Sequence, residues 1–201
     1  MNTFYLIRHG LKTSQAGDPN LTKDGRTQAE KTAKYLQAKN ISKIISSTYK
    51  RTLETADIID HVLHVGIEQD DRLRERMNWG SVQGQTLEEF LKEWEYSDLN
   101  RNFNPKAGIS SRRASLQVQD VLNEIAQKYP NRNIVIITSG PTILDLLHDL
   151  VGENKLEKMM PGVIKNKLPE CSITVLQENR GVFTIKELGS VKHLAQSIDK
   201  L

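Results

Sequence analysis

The run Asn133-Ile-Val-Ile-Ile-Thr138 is the strongest constraint on how this chain folds. Consecutive β-branched apolar residues bounded by polar ones read as a strand buried on both faces, as in a parallel sheet covered by helices. Gly140-Pro141 follows, with proline suited to a helix N-terminus, and the apolar stretch Ile143 to Val151 ends at Gly152, a helix stop. A second short apolar run, Phe4-Tyr5-Leu6-Ile7, ends in Arg8-His9-Gly10. It reads as a buried strand that delivers a cation and an imidazole to its C-terminal edge, where open α/β sheets place their ligands.

The rest of the chain alternates in the same way. Leu21-Thr22-Lys-Asp-Gly25-Arg-Thr-Gln28-Ala29-Glu30 opens a helix with Thr22 as N-cap and Ala29, Ala33 and Leu36 facing inward. Lys43 to Ser47 reads as a strand and Arg51 to about Val62 as a helix, with Ala56, Ile59 and Leu63 at helical spacing. Thr86 to Trp94 is a shorter helix and Ser115 to Tyr129 a longer amphipathic one. Two late strands, Ser172 to Leu176 and Val182 to Leu188, flank the turn-like Glu178-Asn-Arg-Gly181. No repeat, low-complexity stretch or Pro/Gly/Ser-rich linker interrupts the pattern. It predicts one domain over 1–201, a three-layer α/β/α sandwich around a mostly parallel sheet.

At 201 residues the chain can bury a sizeable core. Its 28 Lys and Arg against 25 Asp and Glu leave +3, too slight an excess to argue for nucleic acid or a membrane surface. The basic residues are also dispersed and not interleaved with stacking aromatics. Cys171, the sole cysteine, cannot form an internal disulfide. The N-terminus enters a strand without a basic segment and long apolar core, and no apolar run approaches the roughly 20 residues that span a bilayer. A soluble protein of the reducing cytoplasm is expected.

Four segments carry a resemblance to a known family: Arg8-His9-Gly10; Leu21-Thr22-x-x-Gly25-x-x-Gln28-Ala29; Ser47-x-x-x-Arg51-Thr52-x-x-Thr55-Ala56; and Leu73-x-Glu75-Arg76 with Gly80 and Gly84 downstream. In kind and order they resemble the histidine phosphatase superfamily, the group that includes cofactor-dependent phosphoglycerate mutases, and the strand-helix junction Thr138 to Leu147 extends the similarity across most of the chain. The resemblance implies phosphoryl transfer through a phosphohistidine on His9 within a three-layer α/β fold.

The residue chemistry points the same way. A neutral imidazole is a competent nucleophile toward phosphorus, and its phosphorylated form passes the group to water. Positive charge from Arg8 and Arg51 should lower the His9 pKa and keep it neutral, while their planar forks bind phosphoryl oxygens. An arginine in the first turn of a helix, as Arg51 is expected to be, opposes the helix dipole unless an anion sits beside it. Glu75 is the candidate general acid for the leaving alkoxide and general base for the attacking water, if an apolar surround including Trp79 raises its pKa. Two guanidinium groups and the imidazole do the charge work that a metal does elsewhere, so no metal or other cofactor is expected. Thr22, Gly25 and Gln28 are expected to cap and pack. His61, His64, His148, His193, Met159, Met160 and Cys171 have no metal-ligand spacing.

The chain departs from the family pattern at Thr138-Ser139-Gly140, where the resemblance calls for a second histidine before the glycine and Ser139 stands instead. A serine hydroxyl is shorter and uncharged, and one donor lost from a transferring group costs about 10² to 10³ in rate. Ser139 and the Gly140 amide at a helix N-terminus remain as phosphate-binding groups. Three functions therefore stand. The first is a phosphatase of small phosphomonoesters, with phosphopeptides second. The others are a phosphoglycerate mutase-type enzyme, disfavoured because the long insertions expected of one are missing, and a catalytically weak phospho-ligand binding protein. The segment from Trp79 to about Ser111, with Trp94, Tyr96, Arg101 and Phe103, is where a substrate lid would sit. Arg112 and Arg113 fit a second anion subsite or a solvated helix start equally.

Overall fold

A computed structural model describes residues 1–195. One sheet of six strands, β1 (Asn2–Arg8), β2 (Ile41–Ser46), β3 (Ile67–Gln69), β4 (Asn133–Thr138), β5 (Ile173–Asn179) and β6 (Val182–Ser190), has the order β3-β2-β4-β1-β5-β6. β3, β2, β4 and β1 run parallel to one another, β5 runs antiparallel to β1, and β6 antiparallel to β5. The β5–β6 hairpin closes where the Glu178 side chain accepts a bond from the Gly181 amide at 2.7 Å. The connecting helices are α1 (Lys23–Gln37), α2 (Lys50–Leu63), α3 (Leu87–Leu99), α4 (Ser111–Lys128), α5 (Gly140–Val151), α6 (Glu153–Met159) and α7 (Val163–Asn166).

The period-two alternation of the central strands divides the core into two layers. Phe4 and Leu6 of β1 pair with Ile134 and Ile136 of β4, and these four pack against Val118 and Leu122 of α4 and Ile143 and Leu147 of α5. Tyr5 and Ile7, with Val135 and Ile137, face the other way onto Ala33 and Leu36 of α1 and Ala56 and Ile59 of α2. Each large apolar side chain so buried contributes about 1.5–3 kcal/mol. The result is the expected α/β/α sandwich with a mostly parallel sheet.

Caps set several boundaries. The Thr22 hydroxyl accepts from the Gly25 amide at 3.0 Å and starts α1 where the sequence places it. Thr86 and Glu89 form a reciprocal capping box at α3, which then runs on to Leu99 instead of stopping near Trp94. Ser110 caps α4 through the Arg113 amide, so that helix begins at Ser111 and not Ser115. The short β3, α6 and α7 lie below the length at which periodicity can be read.

The parallel strands β1, β2 and β4 finish at one edge of the sheet. In register, Arg8 lies opposite Thr138, and Ser46 opposite Ile137. His9, the Ser47–Arg51 turn and Ser139 therefore leave from the same edge, and the site is assembled there.

Candidate active site

His9 leaves β1 with its backbone clamped on both sides. Its amide donates to the Thr138 carbonyl at 3.0 Å, and its carbonyl accepts from the Cys171 amide at 3.2 Å. The next turn is packed backbone against backbone: a Cβ on Gly10 would collide with the Gly25 carbonyl, and one on Gly25 with the Leu11 carbonyl. The Gly10 amide donates to the Thr55 hydroxyl at 3.1 Å and the Leu11 amide to Gln28 Oε1 at 2.9 Å. Gly25, Gln28 and Thr55 thus act as packing and tethering residues that fix the imidazole.

His9 is 3% exposed. Nδ1 lies 2.8 Å from the Gly10 carbonyl, an acceptor, so the ring proton belongs on Nδ1 and the lone pair on Nε2. Burial lowers the His9 pKa well below 6.5, with Arg51, Arg8 and Lys12 adding to the effect against the opposing Gly10 bond. The sequence reading attributes this shift to the arginines; burial is the larger cause, and Lys12 joins them.

Arg51 is 0% exposed in the first turn of α2. Its Nη2 donates to Glu75 Oε2 at 2.9 Å, and Nη1 lies 3.6 Å from Asp18 Oδ1. The Asp18 carboxylate also accepts the Lys50 amide at 2.9 and 3.0 Å, covering the N-terminus of α2. These carboxylates are the anions that an arginine at this end of a helix needs. The guanidinium stacks on Tyr49 at 4.3 Å from the ring centre. Its Nε and Nη1 are nevertheless buried without a hydrogen-bond partner. Arg8 donates from Nη1 to the Leu168 carbonyl and from Nη2 to Glu170 at 2.6 Å, leaving a buried Nε without a partner beside Gly140.

Glu75 follows a 3₁₀ turn, Asp71–Leu73. The Thr138 hydroxyl donates to the Leu73 carbonyl at 2.5 Å and ties this segment to the end of β4. The Glu75 carboxylate meets Arg51 on one side. On the other it borders a cleft of about 260 Å³ shared with Lys12, Gln15, Trp79, Phe90 and Trp94. The expected apolar neighbourhood with Trp79 is therefore present, but the group directly on the carboxylate is a guanidinium.

Ser139 is the N-cap residue of α5, and its hydroxyl is shared with the Thr142 hydroxyl at 2.8 Å instead of capping a backbone amide. Gly140 opens the helix against the Arg8 side chain, where a Cβ would lie 3.0 Å from Cδ.

The segment expected to form a lid supplies the far wall of the cleft through Trp79, Phe90, Leu91 and Trp94. It is anchored by Arg76, whose buried guanidinium stacks on Trp94 at 4.2 Å and donates to Asp145 at 2.8 Å and to Asp98. Arg101 belongs to this anchor through Asp149 at 2.8 Å, and Tyr96 packs edge-on against Phe103. Arg112 and Arg113 are exposed and border a separate surface groove with Leu116 and Asp120. Lys12, Asp18 and Tyr49 have no spacing signal in sequence; their proximity to the site arises only from the fold of the loops around them. Among the described residues no group of three His, Cys, Asp or Glu side chains could hold a metal ion, and no helix is long and apolar enough to cross a membrane.

The model of one family, the histidine phosphatase superfamily (branch 1), matches residues 4–191. The chain belongs to that superfamily. Its relatives include an "uncharacterized phosphatase PhoE" of Bacillus subtilis, 26% identical over 97% of this chain and 98% of its own. Another is a "probable phosphoglycerate mutase GpmB" of Cronobacter sakazakii, 25% identical over 98% of this chain and 97% of its own. Among solved structures, Bacillus stearothermophilus YhfR superposes with a TM-score of 0.76 over 96% of this chain and all of its own at 23% identity, a likeness of fold.

Proposed function

We propose that the protein is a metal-independent phosphatase that hydrolyses phosphomonoesters through a phosphohistidine on His9. One observation carries this reading: the wholly buried Arg51 keeps Nε and Nη1 without hydrogen-bond partners within electrostatic reach of a neutral, oriented imidazole. Buried guanidinium donors are costly to leave unpaired, and a phosphoryl group supplies acceptors in the planar geometry they match.

In this reading Arg8 and Arg51 hold the phosphoryl oxygens, with the Ser139 hydroxyl and the Gly140 amide at the start of α5. His9 Nε2 gives its lone pair to phosphorus as the bond to the ester oxygen breaks. A dianion on Arg51 competes with Glu75 for the guanidinium and frees that carboxyl for proton transfer. Glu75 then gives its proton to the departing alkoxide. In the second half the carboxylate takes a proton from water, the water oxygen bonds to phosphorus, the P–N bond breaks, and His9 returns neutral with phosphate released.

The substrate expected is a small phosphorylated molecule whose non-phosphate part fits the cleft walled by Trp79, Phe90 and Trp94, with phosphopeptides second. The test is release of para-nitrophenol from para-nitrophenyl phosphate in chelator-containing buffer. Turnover that persists with chelator and disappears in His9→Ala supports the reading. Turnover abolished by chelator, or kept by His9→Ala, contradicts it. Phosphate migration between substrate hydroxyls without net release would favour the mutase relatives instead, and saturable phosphate binding without turnover a binding protein.

A further inference from the structure

The charges around the candidate site are nearly cancelled before any ligand arrives. Arg8 is held by Glu170 and the Leu168 carbonyl, and Arg51 by Glu75 and Asp18. His9 is neutral. The start of α5 offers only uncharged donors, with the Ser139 hydroxyl shared with Thr142. The two arginines thus face three carboxylates, and by themselves would leave the pocket net negative, a poor receptor for a dianion.

Lys12 changes that balance. It lies two residues beyond Gly10 on a loop pinned at both ends. The Leu11 amide is bound to Gln28, the Leu11 carbonyl accepts from the Thr22 amide at 2.8 Å, and Lys12 itself bridges Leu21 across the loop. The side chain is half-buried and lines the cleft beside Glu75 and Trp79. Among the described residues its ammonium has no hydrogen bond and no ion pair, unlike either arginine.

We propose that Lys12 is the third phosphoryl-binding cation of the site, reaching the transferring group from the cleft side and supplying the charge that the neutral Ser139 end does not. The proposal rests on the phosphatase reading above. An ammonium suits the place: it is a compact point charge with three donors on a flexible stem, able to follow the phosphoryl group as it moves from ester oxygen to imidazole. Burial first, then Arg51 and Arg8, lower the Lys12 pKa from 10.5 against the opposing pull of the Glu75 carboxylate, as expected of a cation placed among cations. Bound phosphate would relieve that repulsion at Lys12, Arg8 and Arg51 together.

The experiment compares the full-length protein with Lys12→Met and Lys12→Arg. The readouts are the dissociation constant of inorganic phosphate and kcat/KM for two esters, para-nitrophenyl phosphate and an aliphatic phosphomonoester bearing a carboxylate, with thermal melts to confirm folding. Lys12→Met should weaken phosphate about tenfold to a hundredfold, the scale of one charge-assisted contact, and lower kcat/KM for both esters by a similar factor. Lys12→Arg should restore most of the loss. Unchanged phosphate binding in Lys12→Met, or a loss confined to the carboxylate-bearing ester, would overturn the proposal, the latter by showing that Lys12 reads the leaving group. His9→Ala separates the two claims. Phosphate binding that survives in His9→Ala but weakens in Lys12→Met supports the role of Lys12, whereas wild-type protein that neither binds phosphate nor turns over either ester removes the underlying reading.

Discussion

The Arg51 guanidinium and the Glu75 carboxylate meet at 2.9 Å beside the cleft, the first wholly buried and the second largely so. The two groups are brought together from α2 and from the segment after β3, so the contact couples the ends of two neighbouring strands. It also stands in for the phosphoryl group, because it engages the guanidinium that the proposed substrate needs.

Glu75→Gln is therefore expected to act twice. Loss of the proton carrier lowers kcat by about 10² to 10⁴. Loss of the charge leaves Arg51 buried with only Asp18 at 3.6 Å, and breaking a buried pair costs about 3–5 kcal/mol, with the lower end expected here because Asp18 remains. Inorganic phosphate should then raise the melting temperature of the variant more than that of the wild type, since it replaces the missing anion. Equal shifts in the two proteins would mean that phosphate does not reach Arg51.

His9 sets a pH dependence. Burial first, then Arg51, Arg8 and Lys12, hold its pKa well below 6.5 in the fold, whereas the unfolded chain binds a proton near that value. Stability from this group is thus present above 6.5 and lost as pH falls below it. His193 shifts in the same direction, so the difference between wild type and His9→Gln isolates the effect. Denaturant melts between about pH 7 and pH 5 should show the variant losing less stability than the wild type. The acid limb of kcat/KM should correspondingly lie below 6.5.

Two glycines should respond differently to alanine. At Gly140 a Cβ would press on the Arg8 side chain, at 3.0 Å from Cδ and 3.4 Å from Nε, in a helix that otherwise favours alanine. Gly140→Ala should keep its melting temperature and lose about tenfold in phosphate affinity, as expected when a charge-assisted contact is displaced. At Gly25 the collision is with the Leu11 carbonyl, which cannot swing away as a side chain does. Gly25→Ala should lose about 1–3 kcal/mol of stability, with activity falling because the His9 turn moves. Thermal melts and phosphate titrations of both variants check the contrast.

Arg76 should govern the cleft wall and not the chemistry. It joins Asp145 of α5 to Asp98 and Trp94 of α3. Arg76→Met leaves Asp145 buried with Arg101 at 3.6 Å as its nearest cation, and a loss of about 3–5 kcal/mol is expected. In the folded variant KM for para-nitrophenyl phosphate should rise more than kcat falls, measured by steady-state kinetics at a temperature below the variant's melt.

Arg8, His9, Arg51 and Ser139 of the candidate site are legible in the sequence because each follows a strand signal, whereas Glu75 follows a strand too short to read and is placed by its motif alone. Phe4 to Ile7 and Ile134 to Ile137 are apolar runs that end at the site, and Thr22 and Thr86 announce their helices. What escapes is carried by loops. Asp18 covers the N-terminus of α2, Lys12 turns into the cleft, and Arg76 spans from its loop to α3 and α5, all through long-range contacts that no local pattern encodes. Ser139 is legible as a neutral residue at the start of α5, yet its bond to Thr142 follows from rotamers fixed only in the folded helix turn.

The most direct test of the account is to quench the protein during turnover and locate covalent phosphate by mass spectrometry under alkaline conditions, which preserve phosphohistidine. Acid-labile phosphate is predicted on His9, appearing no more slowly than product and, with para-nitrophenyl phosphate, whose leaving group needs no proton, accumulating further in Glu75→Gln, where the attacking water lacks its base. Turnover with no phosphate on His9, and with full activity in His9→Ala, would contradict it.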